Sequence, residues 1–434
     1  MNIKLKQAWG LLILILVTFT YLAINLYDAQ EEGQKVKKIY FADRMTAAHK
    51  ILIDEYNKMH KGKIEIIPID FPNEDFSTNE KKEVLARSLR GRGDGIDVFA
   101  VDIIWVQRFA KWCEPLDKYF TKTEKDSFLK EAMESCYYEG EMVAAPLDMV
   151  LGIMYYRRDL LQKLPGGSEI INEVRNNITW SDFLKLKNRI GGNNRFFTFP
   201  GADYEGLVCN YVQLLLSLKP DYFENNGFNF ETASAQKSLQ LMVNMVNKNH
   251  LSPKAVTQFT EITSYKYFIK NNGYFLWGWT SFDKDFKDYP VYPDRQNNLS
   301  KAPLPHFKEG KPASILGGWD IMISKFSDKK KEAADFIKFL LSKKSQETFF
   351  RVSAYDPVIK SFYEDSDYVK KYPEISIYKK LLQNSVHRPA NVEYTKYSKI
   401  MSYYFNKAIR KEISVPEALK KCTKAIQMDK LILQ

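Results

Sequence analysis

The chain has 434 residues, 45% of them hydrophobic and 27% charged, with a formal charge of +11. That length exceeds what one ordinary core organises, so two or three domains are expected, each able to bury a sizeable interior. The positive excess is spread over scattered lysines, with short clusters at Lys329-Lys330-Lys331 and Lys343-Lys344 and no long basic run interleaved with aromatics, which reads as a solvated surface and sets nucleic-acid binding aside.

Lys4 and Lys6 precede Trp9 to Tyr27, a mostly apolar stretch interrupted only by Thr18, Thr20 and Asn25. About nineteen such residues are enough to span a bilayer as a helix. The charges before it, and Asp28, Glu31 and Glu32 after it, place the N-terminus inside and the globular part outside. The run exceeds a usual signal-peptide core, no small-x-small site stands between Ala23 and Ala29, and no cysteine lies near its end. An uncleaved membrane anchor with a linker over residues 1–33 is therefore expected, with a signal peptide and secretion after cleavage as the alternative.

Beyond the leader, Lys38 to Ala42 reads as a strand. Ala48, Ile51, Leu52, Tyr56 and Met59 recur at helical spacing, and Lys63 to Asp70 is a second strand, which completes a βαβ unit. A polar loop, Asn73 to Asn79, leads to a helix over Glu80 to Arg90. Ile96 to Val101 is then a continuous apolar run, as a parallel strand buried on both faces requires. Gly91 to Gly95 is a turn that opens no helix and so is no phosphate loop. A helix near Ile104 to Trp112 and a strand pair about Glu141 to Ala145 and Gly152 to Tyr156 follow. The middle third is helical over Trp180 to Ile190, Glu205 to Leu218 and Ala233 to Asn247. Ala333, Ile337, Leu340 and Leu341 form one stripe behind Ser327, and Tyr394 to Met428 reads as two helices parted near Ile413 to Pro416. The whole is α/β, with a second α/β lobe.

Cys113, Cys136, Cys209 and Cys422 include no C-x-x-C, and the five histidines show no metal-ligand spacing, so no metal or cofactor is expected. Two segments, Tyr274 to Trp279 and Ile315 to Asp320, set Trp277, Trp279 and Trp319 beside glycines. Indole faces next to closely approaching backbone suit the apolar C–H faces of sugar rings, although a tryptophan in a short apolar run is more often a core residue.

In order and spacing, Asp97-Val98-Phe99-Ala100-Val101-Asp102-Ile103-Ile104-Trp105, Ala145-Pro146-Leu147-Asp148, Tyr155-Tyr156-Arg157-Arg158-Asp159-Leu160, Tyr204-Glu205-Gly206-Leu207-Val208-Cys209, Gly278-Trp279, Leu304-Pro305 and Gly317-Gly318-Trp319 resemble the extracellular solute-binding proteins of sugar-importing ABC transporters, nearest the trehalose- and maltose-binding branch. The resemblance implies a two-lobed periplasmic-binding-protein-like fold with hinge strands and a ligand cleft between lobes. Residues 34–145 and 281–325 would form one lobe, and 146–280 with 326–434 the other.

It also implies a monomer that binds a di- or oligosaccharide without turnover and delivers it to ABC permease subunits on the extracytoplasmic face. Asp102 and Asp148, on opposite lobes, would accept sugar hydroxyls, since an ionised carboxylate accepts two such bonds at about twice the strength of neutral ones; the competing reading of either is a helix cap. Trp277, Trp279 and Trp319 would stack on the rings, the Gly317 backbone would approach closely, and Arg388 matches a family arginine that reaches the cleft. Asp43 is a further contact, although the family often carries a glutamate there; Lys81 and Tyr355 are secondary candidates. Two alternatives stand beside this: an anchored sugar sensor, and a glycosidase using Asp102 and Asp148 as acid and nucleophile. No G-x-S-x-G, H-E-x-x-H or Walker-type sequence supports an enzyme.

Overall fold

The computed structural model describes residues 17–21, 36–71, 78–92, 95–285 and 292–428. The expected anchor lies outside these except for residues 17–21, which are helical, and most of the polar loop 73–79 and Gly93-Asp94 also lie outside. Among the described residues no helix is long and apolar enough to cross a membrane.

The described strands are β1 (Lys37–Asp43), β2 (Ile64–Asp70), β3 (Val98–Asp102), β4 (Tyr137–Tyr138), β5 (Glu141–Met142), β6 (Ala145–Arg157), β7 (Phe197–Thr198), β8 (Phe275–Trp279), β9 (Leu299–Ala302), β10 (Ser314–Ile323) and β11 (Ser385–Val386). One sheet runs β2-β1-β3-β10-β6-β8-β7, with β11 beside β10 and β9 beside β6. β1 pairs parallel with both β2 and β3, which confirms the two crossovers read from the sequence. β3 is buried over Val98 to Val101 because it is covered on both faces.

Helix α1 (Ala47–Met59) joins β1 to β2 and is capped by the Thr46 side chain, which accepts from the His49 N–H. Its buried face carries Ala48, His49, Leu52, Ile53 and Tyr56, while Ile51 and Met59 are exposed. The expected stripe is thus rotated, because His49 turns inward to meet Asp43. Helix α2 (Thr78–Arg90) joins β2 to β3.

β6 and β10 hold the molecule together. Ala145 to Leu151 of β6 pairs antiparallel with β10, and Gly152 to Arg157 pairs with β8 and β9. β10 likewise pairs with β3 through Trp319 to Ile323 and with β11 through Ser314 and Ile315. Each strand therefore begins in one lobe and ends in the other. The expected strand pair around 141–156 is instead one strand of 13 residues plus the short β4–β5 hairpin, and the helix expected over Ile104 to Trp112 is a chain of short turns.

The pairings distribute the chain differently from the expected boundaries. β9 pairs with β6 beyond the crossing point, and the His306 and Lys311 N–H groups donate to Ile178 and Ser217, so residues 299–313 go with the second lobe. Helices α5 (Lys330–Leu340) and α6 (Lys343–Ser353) pack on α1: Phe336 meets Phe41 and Tyr56, and Phe349 meets His49. They go with the first lobe. Helices α3 (Glu205–Leu218), α4 (Ala233–Asn247), α7 (Tyr394–Ile409) and α8 (Val415–Gln427) pack together as the helical body of the second lobe. All four cysteines are buried and free.

Candidate ligand-binding cleft

Backbone register builds the centre of the site. Trp319 of β10 lies opposite Asp102 of β3 on one side and Asp148 of β6 on the other. Directly paired residues share a sheet face, so the three form one row. A register shift follows Trp319, and Gly318 just before it has φ 140, where an added Cβ would stand 2.4 Å from the Asp148 carbonyl oxygen. Only glycine fits that bend.

Asp102 is a cap and an ion-pair partner at once. Its Oδ1 accepts from the Ile104 N–H at 3.1 Å, capping the turn after β3, and also from Arg388 Nη2 at 2.8 Å. Arg388 Nη1 donates to Glu205 Oε1 at 3.0 Å, so a buried guanidinium links a carboxylate of the first lobe to the first turn of α3 in the second. The Tyr394 hydroxyl donates to the same Glu205 oxygen at 2.8 Å, and Ser398 to the other. Burial raises the Glu205 pKa against the lowering effect of Arg388. Burial also raises that of Glu261, toward which Tyr204 and Trp279 present donors.

The aromatic candidates separate. Trp279 is half-buried at the end of β8, and its ring lies 3.1 Å from where a Cβ on Gly317 would be, so the glycine makes room for the indole. Trp277 meets Trp279 edge-on at 5.0 Å, is 2% exposed, and donates from Nε1 to Gln213 Oε1 at 3.3 Å. It supports Trp279 from within the core and is not itself on the cleft surface. Trp319 is half-buried, with Lys81 Nζ 5.4 Å from its ring centre. Burial pushes the Lys81 ammonium down to about 8, against the opposing pull of Asp43.

Asp43 is committed elsewhere. Its Oδ1 accepts from the Arg44 N–H at 2.6 Å and its Oδ2 lies 3.2 Å from His49 Nε2, which makes it a buried brace at the start of α1. Tyr355 is buried, and Arg44 Nη1 donates to its hydroxyl at 3.5 Å.

The family model for bacterial extracellular solute-binding proteins matches residues 39–347, well over half of the chain. The chain belongs to that family. A probable ABC transporter-binding protein of Deinococcus radiodurans is 24% identical over 325 residues, covering 72% of this chain and 74% of its own. Among solved structures, maltose-bound MalE3 of T. maritima is 26% identical with a TM-score of 0.79, covering 91% of this chain and 100% of its own. The cyclic alpha-maltosyl-1,6-maltose binding protein of Arthrobacter globiformis has a TM-score of 0.73 at 20% identity, covering 91% and 99%, and shows the shared fold.

The two-lobed α/β architecture of this solute-binding protein is therefore established, and the family is one of substrate binders, not hydrolases. Of the expected contacts, the structure brings Asp102, Asp148, Trp279, Gly317, Trp319 and Arg388 to one region and leaves Asp43 and Trp277 behind it. Asp148 lies on the crossing strand β6 and so is not carried by the far lobe. Sequence reasoning missed Glu205, Glu261 and Tyr204. Glu205 stood in a phrase that marked the family, and its place in the first turn of α3 was the available signal.

Proposed function

We propose that this solute-binding protein captures a di- or oligosaccharide between its lobes and delivers it to an ABC permease at the extracytoplasmic face, held there by its N-terminal segment. The observation that carries the reading is the row Asp102–Trp319–Asp148, faced by the Trp279 ring on Gly317 and joined across the lobes by Arg388 to Glu205. Carboxylates supply acceptors for sugar hydroxyls and indoles supply plates for the rings. Maltose in the T. maritima relative supports the same ligand class. Lobe closure follows from differential affinity: a ligand touching both sides stabilises only the form in which both are near.

The test is a thermal-shift screen of the full chain in mild detergent against mono-, di- and oligosaccharides, with amino acids, metals and phosphate as contrasts. A ligand at about 100 times its dissociation constant stabilises the folded state by ~2.7 kcal/mol. Solution scattering with the hit should show a smaller radius of gyration. Stabilisation by amino acids alone, or saturation by sugar without compaction, defeats the reading. Membrane fractionation under high salt checks the anchor, since an inserted helix is held by apolar burial and not by charge.

A further inference from the structure

Immediately after Asp102, the first lobe holds buried donors that have no acceptors among the described residues. Trp105 and Arg108 stand three positions apart on the turns Ile103–Trp105 and Val106–Phe109, so their side chains leave one side of the chain. Trp105 is 3% exposed, and its Nε1 is buried without a hydrogen-bond acceptor among the described residues; the same is true of Arg108 Nε. Lys82, only 4% exposed, places Nζ 5.8 Å from the centre of the Trp105 ring. Its ion pair, at 3.2 Å, is with Glu83, which is largely in solvent. Arg388 Nε is a further buried donor without an acceptor among the described residues.

Buried lysines are ordinarily paired, and buried donors ordinarily satisfied. Here the buried carboxylates Asp102 and Glu205 share Arg388, and the acceptor on Lys82 is the solvent-exposed Glu83. Burial holds the Lys82 ammonium below its ordinary value, Arg108 pushes the same way, and Glu83 and Glu205 pull against them. Beside this exposed pair, the Trp105 and Arg108 donors are left without a buried acceptor among the described residues.

Resting on the carbohydrate reading above, we propose that Lys82, Arg108 and Trp105 form a subsite for a carboxylate on the bound saccharide, so that the protein selects uronic-acid-containing sugars over neutral ones. A carboxylate is the matching group because its planar pair of oxygens accepts the guanidinium fork and leaves lone pairs for the indole N–H and the ammonium.

The experiment is calorimetry on the full chain in mild detergent, using uronate-containing disaccharides of gluco, galacto and manno configuration. Each is paired with its methyl ester, which keeps the shape and removes the charge; maltose and a sulfated disaccharide complete the set. The best uronate should bind roughly 10- to 100-fold tighter than its ester, the range of a charged hydrogen bond. Arg108→Gln and Lys82→Gln should each move that ratio toward one, with circular dichroism confirming the fold, and Arg108→Lys should restore part of it because charge returns without the fork. Esters or maltose binding as tightly as the acids would overturn the inference while leaving carbohydrate binding intact. Preference for the sulfated sugar would overturn the assignment to a carboxylate, and silence across the whole panel would overturn carbohydrate binding itself. The acid-to-ester ratio of the unmodified chain decides the matter even if no variant folds.

Discussion

Arg388→Gln is the most searching single change. The guanidinium is 2% exposed and bonds to Asp102 Oδ1 at 2.8 Å and Glu205 Oε1 at 3.0 Å, with those side chains 15% and 20% exposed. Removing it leaves two carboxylates in a poorly hydrated space without their cation, a loss of about 3–5 kcal/mol for a buried pair broken from one side. The loss is pH-dependent, with a definite sign. Burial already raises the Glu205 pKa with Arg388 present, and without the arginine it rises further. A carboxyl whose folded pKa exceeds its unfolded value binds more protons when folded, so stability falls as pH rises through that interval. The variant should therefore lose most at pH 8 and recover part of the loss at pH 5, where Glu205 takes up a proton. Denaturant melts of the full chain at both pH values, followed by circular dichroism, measure this. Scattering at pH 8 should also show an expanded molecule, since the bridge joins the lobes. A loss below 1 kcal/mol, or an equal loss at the two pH values, would refute the argument.

Trp279→Ala and Trp319→Ala should each weaken sugar binding by roughly 2–3 kcal/mol with the fold retained, whereas Trp277→Ala should cost about 3–5 kcal/mol of stability as a core truncation; calorimetry and melts on the same three variants separate the roles. Asp356 accepts from the Thr280 hydroxyl at 2.6 Å in a buried setting that pushes its pKa up to about 7. Between its unfolded value and 7, stability should fall with rising pH by roughly 1 kcal/mol per pH unit from this group alone, and Asp356→Asn should flatten the curve by that amount. Asp320, pushed up to about 7 by burial as well, leaves a second slope of like sign. Gly318→Ala should destabilise by about 1–3 kcal/mol from backbone strain before the clash with Asp148 is counted, read from the melting midpoint.

The parts legible in the sequence were those with a local cause. Val98 to Val101 declared a twice-covered strand by being uniformly apolar, and Glu205 to Leu218 declared a helix by its periodicity. Trp277 and Trp279 sit two positions apart on one strand, so alternation gave them the same face and could not say which one the core would cover. Ile51 and Met59 were misjudged because a histidine counted as polar is buried against Asp43. The Arg388–Glu205 contact joins residues 183 positions apart, and no pattern within a window reports such a meeting. The extension of the expected Gly152–Tyr156 strand back to Ala145 in β6 hid the hinge for the same reason: the crossing is defined by partners, not by its own residues.

Because β6 and β10 pass from one lobe to the other, the closure proposed above would turn about a pivot that itself carries Trp319 and Asp148. Atoms near a pivot travel little, and those at a distance, such as Glu205 at the start of α3, travel far. In the proposed closure a ligand would meet the pivot contacts on arrival and the distant ones only as the cleft shuts. Substitutions near the pivot will register in how fast ligand lands, and those at the swinging rim in how long it stays.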